Sequence, residues 1–360
     1  MKILHLSEPL IEASGVSTFV REIIREQRLM GHEVDHLDCF SRVEAEQLEK
    51  YDVVHVHGIW KRLYHQVAKE IVSIRHSSAS LPQASLTPKL VWSTHGMTAP
   101  WSLKHKWWKK AALWYLAQLP DLKKADLIHS TSGKELEWNK AHGLTKACLV
   151  PLGTHLPVTN LSDKLVTRRT LLFVGRVYQV KAIDRLIAAF VKASTRHEGW
   201  KLRIVGPDQD GYTAILKNLT EKLQAHDNKG VGQAHNGRLE VEFVGPKYGD
   251  ELMQEYENCD CLALVSHTEN FGATVVDAMA HCKPVITSTG TPWKEVLGAK
   301  CGWWVDNDEE SLSGAIGEMM SMSGEERRKI GERGRKLVEA KYTWQAVAMA
   351  MVKAYEGIER

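Results

Sequence analysis

The sequence has few cysteines, almost no excess of charge and no long apolar run, and each shortage removes a class of protein. Its six cysteines lie at 39, 148, 259, 261, 282 and 301. They are scattered and mostly in apolar surroundings, which suits buried free thiols in a reducing compartment. Cys259 and Cys261 are separated by one residue, not the two usual in zinc or thioredoxin-like sites, so no metal is expected there. A net charge of +3 gives no reason to expect nucleic acid as a partner. No segment approaches the roughly 20 apolar residues of a membrane helix. The opening MKILHLSEPLIEASG carries Glu8 and Glu12 where a secretory leader needs an apolar centre. A cytoplasmic protein is expected. Neither G-x-G-x-x-G nor G-x-x-x-x-G-K-[ST] occurs, which argues against dehydrogenases and P-loop NTPases.

What is present is a soluble globular composition, 43% apolar and 25% charged, in a chain long enough for two domains. Short apolar runs at Ile3–Leu6, Val34–Leu37, Val53–Val56, Leu90–Ser93, Leu127–His129 and Cys148–Val150 alternate with stretches of helical period such as Thr18–Met30 and Leu103–Gln118. Runs apolar on both faces read as parallel strands covered by helices on each side. The polar stretch Thr154–Arg169 reads as a linker. The alternation then restarts with strands at Leu171–Val174, Leu202–Val205, Leu239–Val244, 261–265 and Pro284–Thr287. Helices are expected at Ala182–Val191, Tyr212–Leu223, Tyr248–Tyr256 and 273–281, and in the tail at Gly324–Ala340 and Trp344–Ile358. The last helix either extends the second domain or crosses back to the first. The expected fold is α/β: two doubly wound, Rossmann-like domains, 1–160 and 170–343, facing a central cleft where ligands bind at the carboxyl ends of the strands.

The stretch SHTENFGATVVDAMA, 266–280, carries the most chemical information. An apolar strand leads in, Gly272 lies in the turn, and a helix leads out. A helix N-terminus offers free amides and a positive dipole end to an anion. Glu269 before the turn and Asp277 after it can bind hydroxyls, and the combination suits a sugar nucleotide. Paired glycosidase carboxylates stand roughly 5–9.5 Å apart, whereas eight helical residues advance about 12 Å. Separate binding roles are therefore favoured over an acid–base pair. Upstream, FVGRVYQVKAIDRLI at 173–187 places Gly175 in a turn, then Arg176 and Lys181 near a helix start. A guanidinium fork and an ammonium so placed can converge on a diphosphate.

Together with Ser14-Gly15-Val16, Gly31-His32-Glu33-Val34, His57-Gly58-Ile59-Trp60, Thr94-His95-Gly96-Met97, Gly290-Thr291-Pro292 and Tyr342-Thr343-Trp344, these motifs resemble the retaining glycosyltransferases of family 4 over nearly the whole chain. The resemblance implies a GT-B fold, no cofactor and no required metal. It implies a UDP- or GDP-linked sugar donor, and a hydroxyl acceptor on a glycan or lipid-linked molecule, as in lipopolysaccharide or surface polysaccharide synthesis. Arg176 and Lys181 would neutralise the departing diphosphate, and Glu269 would hold hydroxyls of the transferred sugar. Gly175 would open the phosphate turn. Asn270, Phe271, Gly272, Ala273 and Thr274 would supply amides to sugar and phosphate, and Asp277 would hold the ribose. His95 would sit near the reacting sugar, Gly15 would let the backbone approach donor and acceptor, and the last helix would cross back to the first domain. Two departures stand out: Asp277 replaces the family's second Glu and is one methylene shorter, and Gly15 is single where many members carry a pair.

His57 follows its strand as His95 does and is a weaker candidate for the acceptor, and Lys247 a weaker candidate for the base. Residues 101–115, WSLKHKWWKKAALWY, mix lysines with tryptophans, and Leu103, Trp107, Ala111 and Trp114 share one helical face. That face either touches an anionic membrane or packs into a core. Competing readings of the whole chain are a sugar-nucleotide epimerase on the same architecture, a glycoside phosphorylase, and a non-catalytic nucleotide-sugar-binding protein.

Overall fold

The computed structural model describes residues 1–11, 14–41, 43–78, 87–104, 111–157, 168–230 and 240–358. It divides into two compact units, Met1–Gly153 with Trp344–Arg360, and Thr154–Thr343.

The first unit is built on a six-stranded parallel sheet of β1 (Lys2–Ser7), β2 (Glu33–Asp38), β3 (Val53–His57), β4 (Lys89–Ser93), β5 (Leu127–Ser130) and β6 (Ala147–Leu149), in the order β2-β1-β3-β4-β5-β6. Alternation along each strand divides the core in two. Leu4, Leu6, Val54, Val56, Leu90, Trp92 and Ile128 belong to one side, with helix Arg62–Ser78, Trp114 and Leu122. Ile3, Val53 and Val91 belong to the other, with Phe19, Val20 and Ile23 of helix Gly15–Leu29. The C-terminal helix Trp344–Glu356 joins this second side through Trp344, Val347, Ala348, Met351 and Tyr355, a stripe of helical period. Burying each of the larger side chains contributes roughly 1.5–3 kcal/mol, so this helix is a structural part of the first unit. Helix Gly15–Leu29 begins three residues before the expected Thr18 because Ser14 caps it, accepting from Ser17 N at 3.4 Å.

The second unit has β7 (Thr170–Val174), β8 (Lys201–Val205), β9 (Glu240–Gly245), β10 (Cys261–Leu264), β11 (Val285–Ser288) and β12 (Gly302–Val305), all parallel, in the order β12-β11-β10-β7-β8-β9. Both units are therefore doubly wound Rossmann-like sheets, as their alternation requires.

Strand β12 and helix Glu309–Ser321 were not expected from the sequence. The strand is a half-buried edge, GWWV, with no apolar alternation to mark it. Helix Tyr212–Gly230 runs past the expected Leu223. The long helix expected over Leu103–Gln118 is replaced, among the described residues, by Pro100–Lys104, a π-turn at Trp114–Gln118 and helix Leu119–Lys124. Residues 105–110, most of the expected linker (158–167) and the expected strand start at 239 lie outside the described residues.

Candidate functional site

In the second sheet β7 and β10 are neighbours, while the chain proceeds from β7 toward β8 on one side and from β10 toward β11 on the other. That is a topological switch point, where the loops leaving the two strands diverge and leave a crevice. The loop after β7 carries Gly175, Arg176 and Lys181, and the loop after β10 carries Glu269 and Gly272. His267 N donates to Val180 O at 2.9 Å and joins the two loops.

Across the crevice Lys181 Nζ donates to Glu269 Oε2, which also accepts from Ser266 Oγ at 3.3 Å. The side chains are only 15% and 16% exposed, so the pair is largely shielded. Glu269 N donates to Gly290 O at 3.1 Å. A Cβ at Gly290 would stand 2.1 Å from Ser266 O and 2.6 Å from His267 O, so glycine is what lets this backbone press against the Glu269 loop. Gly272, at φ +79, precedes helix Ala273–Ala280, and a Cβ there would meet Leu264 Cδ2 at 2.7 Å and Glu269 Cγ at 3.2 Å. Trp293 Nε1 donates to Phe271 O at 2.5 Å and fixes the turn from outside. Val275 N donates to Gly272 O at 3.0 Å, and the Ala273 and Thr274 amides before it stand at the helix start with no carbonyl one turn back within the helix. The Thr274 hydroxyl beside them is buried and forms no hydrogen bond among the described residues. Chemically this is an ammonium, a carboxylate and a helix N-terminus grouped at one strand end.

Arg176 is exposed, and its Nη1 donates to Gln209 Oε1 at 3.1 Å. The structure joins Lys181 to Glu269 but leaves the guanidinium on Gln209, held by a neutral partner. Asp277 lies one helical turn inside, where its Oδ1 accepts from Thr154 Oγ1 at 2.6 Å. Burial raises its carboxyl to about 6, against the opposing effects of Thr154, Tyr256 and His155. Lys247 follows edge strand β9 and pairs with Glu251 at 3.3 Å, two strands removed from β7. Asn270 and Ala273 flank the Gly272 turn.

In the first unit His95 follows β4 at φ +48, an unusual conformation for a residue with a side chain. The turn around it is held by Glu135. One Glu135 oxygen accepts from Gly96 N and from Thr94 Oγ1, and the other from Thr131 N and Thr131 Oγ1, both at 2.7 Å. Burial works to raise this carboxyl, but the bonds from Gly96, Thr94 and Thr131 outweigh it and hold the group below its usual range. One turn along the helix, Asn139 donates to Thr94 Oγ1 at 3.1 Å and to Ser130 Oγ at 2.9 Å. Sequence reading missed both residues. The available signal was Ser132-Gly133-Lys134-Glu135, a helix start of the form S-x-x-E in which Ser132 does cap the helix.

The structure places His57, the weaker candidate for the acceptor, inside the first unit. His57 is buried, its Nε2 bonded to His5 Nδ1 at 2.8 Å and its Nδ1 to His95 Nε2 at 3.1 Å, so it stands behind His95. A Cβ at Gly15 would meet nothing within 4 Å, so packing inside the first unit does not require glycine there. Trp114 is buried against Trp60 and His142, and Leu103 packs on the same core, so these two residues of the expected face point inward, while Ala111 is half-buried.

Residues 162–337 match the family model of glycosyl transferases, group 1. The D-inositol 3-phosphate glycosyltransferase of Corynebacterium jeikeium is 31% identical over 189 residues, which covers 52% of this chain and 43% of that protein. The MMP alpha-(1->4)-mannosyltransferase of Mycolicibacterium hassiacum is 21% identical, over 70% of this chain and 60% of its own. The chain spans about half the length of the curated relatives it matches. Among solved structures, sucrose-phosphate synthase from Thermosynechococcus elongatus superposes with a TM-score of 0.69 at 19% identity, covering 99% of this chain and 98% of that one. The Anabaena HepE protein in complex with UDP superposes with a TM-score of 0.69 at 14% identity, covering 99% and 100%. At these identities the structures establish the fold, which is GT-B. Over residues 162–337 this chain is similar to the glycosyl transferases, group 1.

Proposed function

We propose that the protein is a retaining, metal-independent glycosyltransferase that moves a hexose-type sugar from a UDP- or GDP-linked donor to a hydroxyl of a glycan or lipid-linked acceptor. The observation that carries this reading is the Lys181–Glu269 pair at the switch point of the second sheet, beside the helix N-terminus opened by Gly272. The diphosphate takes the helix amides and the Lys181 ammonium, and Arg176 swings from Gln209 to join them. Glu269, released from part of its interaction with Lys181, accepts bonds from sugar hydroxyls. Positive charge that a metal supplies elsewhere comes here from two side chains and a dipole. These fixed donors stabilise the oxygen that carries charge as the glycosidic bond breaks. Retention of configuration, and a role in lipopolysaccharide or surface polysaccharide synthesis, rest on the family 4 resemblance. The relatives named as inositol phosphate glycosyltransferase and mannosyltransferase, and the neighbour solved with UDP, support a nucleotide-sugar donor.

A thermal-shift panel of UDP- and GDP-sugars tests this directly. A ligand at 100 times its Kd adds about 2.7 kcal/mol to the unit it binds, and one nucleotide sugar is expected to stand out. No shift with any of them contradicts the donor site. NMR of that donor incubated alone separates transfer from epimerisation, because an epimerase converts it without an acceptor.

Contact with an anionic membrane belongs to the same proposal. No described helix is long and apolar enough to cross a membrane. Leu113, Tyr115 and Leu116 are nonetheless 50%, 68% and 81% exposed, in a segment rich in lysine. Such a surface lies at headgroup depth rather than across a bilayer. Co-sedimentation with phosphatidylglycerol vesicles at low salt is expected, and it weakens as salt rises. Equal recovery in the supernatant with and without vesicles at low salt removes this contact.

A further inference from the structure

The first unit contains a chain of buried polar groups that its packing does not need. His5, His55, His57, Ser93 and His129 lie on β1, β3, β4 and β5, on the side of the sheet shared by Ile3, Val53 and Val91. The three histidines His5, His55 and His57 are close enough together to suggest a metal site. Hydrogen bonding argues otherwise, because every ring nitrogen of the three already has a partner.

The polarity of these bonds is determined from one end. Val150 O can only accept, so His129 Nε2, 2.7 Å away, carries a proton and His129 Nδ1 is bare. The Ser93 hydroxyl must therefore donate to His129 Nδ1 at 2.6 Å and accept from His55 Nε2 at 2.6 Å. His55 Nδ1 is then bare and accepts from the Tyr355 hydroxyl at 2.6 Å. Tyr355, its proton committed, accepts from Gln27 Nε2 at 3.4 Å, which turns Gln27 Oε1 toward His5 Nε2 at 2.8 Å. His5 Nε2 is protonated, so His5 Nδ1 accepts from His57 Nε2 at 2.8 Å, and His57 Nδ1 accepts from His95 Nε2 at 3.1 Å. The direction is the same throughout. It ends at His95 Nδ1, which has a lone pair and no hydrogen bond among the described residues.

We propose that this directional chain locks His95 in its Nε2–H tautomer and makes its Nδ1 a fixed hydrogen-bond acceptor for a ligand hydroxyl, with Gln27 and Tyr355 as positioning residues. The inference rests on reading His95 as substrate-facing. A group that meets neutral His95 through Nδ1 must donate, so a sugar hydroxyl fits and a phosphate oxygen does not. The chain also stops proton transfer. A proton accepted at Nδ1 could pass through His57 and His5, but it would then meet the Gln27 amide oxygen, a very weak base. Burial opposes charge on each of these rings, with Glu135 the carboxylate that faces His95 and His129. His95 therefore orients a hydroxyl instead of removing its proton.

Long-range 15N–1H spectra of the full chain at pH 7.5 read the tautomers without any activity assay. His5, His57, His95 and His129 are expected to show protonated Nε2 and bare Nδ1. In Tyr355→Phe, Gln27 loses the partner that orients it, so His95 is expected to populate both tautomers while His129, still anchored by Val150 O, stays unchanged. A His95 protonated at Nδ1 in the unsubstituted protein overturns the proposal. So does stoichiometric bound zinc whose removal shifts His5, His55 and His57. A single unaltered His95 tautomer in a folded Tyr355→Phe variant removes Tyr355 from its role, and the same result in Gln27→Leu removes Gln27. Brief acylation with diethyl pyrocarbonate, which attacks bare imidazole nitrogen, is an independent measurement. It is expected to label His95 and to spare His5, His55, His57 and His129, at a rate that excess inorganic phosphate leaves unchanged. Labelling of His57 ahead of His95, or protection of His95 by phosphate, overturns the assignment. All these readouts stand whether or not a donor sugar is found, so their failure is distinct from failure of the transferase reading.

Discussion

Lys181→Ala lowers turnover by about 10²–10³-fold at saturating donor, the scale on which a single fixed donor to developing charge acts. Arg176→Ala lowers it by the same order. In the proposed reaction the two side chains would reach the donor from different starting points. Lys181 is held by Glu269 and shielded, so its loss also leaves a carboxylate without its cation, beside a diphosphate of the same sign. Arg176 is exposed on neutral Gln209 and would turn toward the donor's phosphates without breaking an ion pair. The alanine variants are therefore expected to differ in donor affinity, with Lys181→Ala the weaker binder because Glu269 then repels the anion directly. Steady-state kinetics with the donor identified by the thermal-shift panel, alongside direct binding, measures both. Near-native turnover in both variants removes the electrostatic roles assigned to them.

Acidification from pH 7 to pH 5 acts with opposite sign on the buried histidines of the first unit and on Asp277 of the second. Burial depresses the imidazoles of the first unit, His5 and His95 to about 4. A depressed histidine contributes stability that is present above its unfolded value near 6.5 and lost as pH falls toward its folded value, because the unfolded chain takes up the proton first. At pH 5 this removes about 2 kcal/mol for each of His5 and His95. His55, His57 and His129 are lowered as well and add to the loss. The sum is comparable with the roughly 5–15 kcal/mol that holds an ordinary domain together. Asp277 in the second unit behaves the other way. Its carboxyl is raised to about 6, so its contribution is full below the unfolded value and lost as pH rises through 6. Acidification to pH 5 gives back about 1 kcal/mol there. Hydrogen exchange read by mass spectrometry at pH 7 and pH 5, corrected for intrinsic rates, is expected to show lost protection in β1, β3, β4 and β5 while β7 and β10 keep theirs. Unchanged protection in the first unit at pH 5 shows that its histidines are not held neutral by burial.

The alternation of apolar runs and amphipathic stretches placed the parallel strands of both sheets except β12, whose Trp303 and Trp304 lie on a half-exposed edge without a periodic signal. Glu269, Gly272 and Lys181 were legible because a helix N-terminus after a glycine turn is a local feature. The partners of Arg176 and Asp277 were not, since Gln209 and Thr154 lie far away in the chain. Glu135 and Asn139 were hidden for a related reason: what they hold is a turn about 40 residues upstream.

By itself the sequence determined most of the strands and helices, the glycine turn before helix Ala273–Ala280, and which charged residues stand at strand ends, because each depends on neighbours within a turn or two. Only the tertiary structure decided that Lys181 meets Glu269 and that Tyr355 and Gln27 orient His55 and His5. It alone gave the histidines of three strands a single bonding direction that ends at His95. Those outcomes depend on the order and register of parallel strands joined by long crossovers, and no stretch of sequence records them locally.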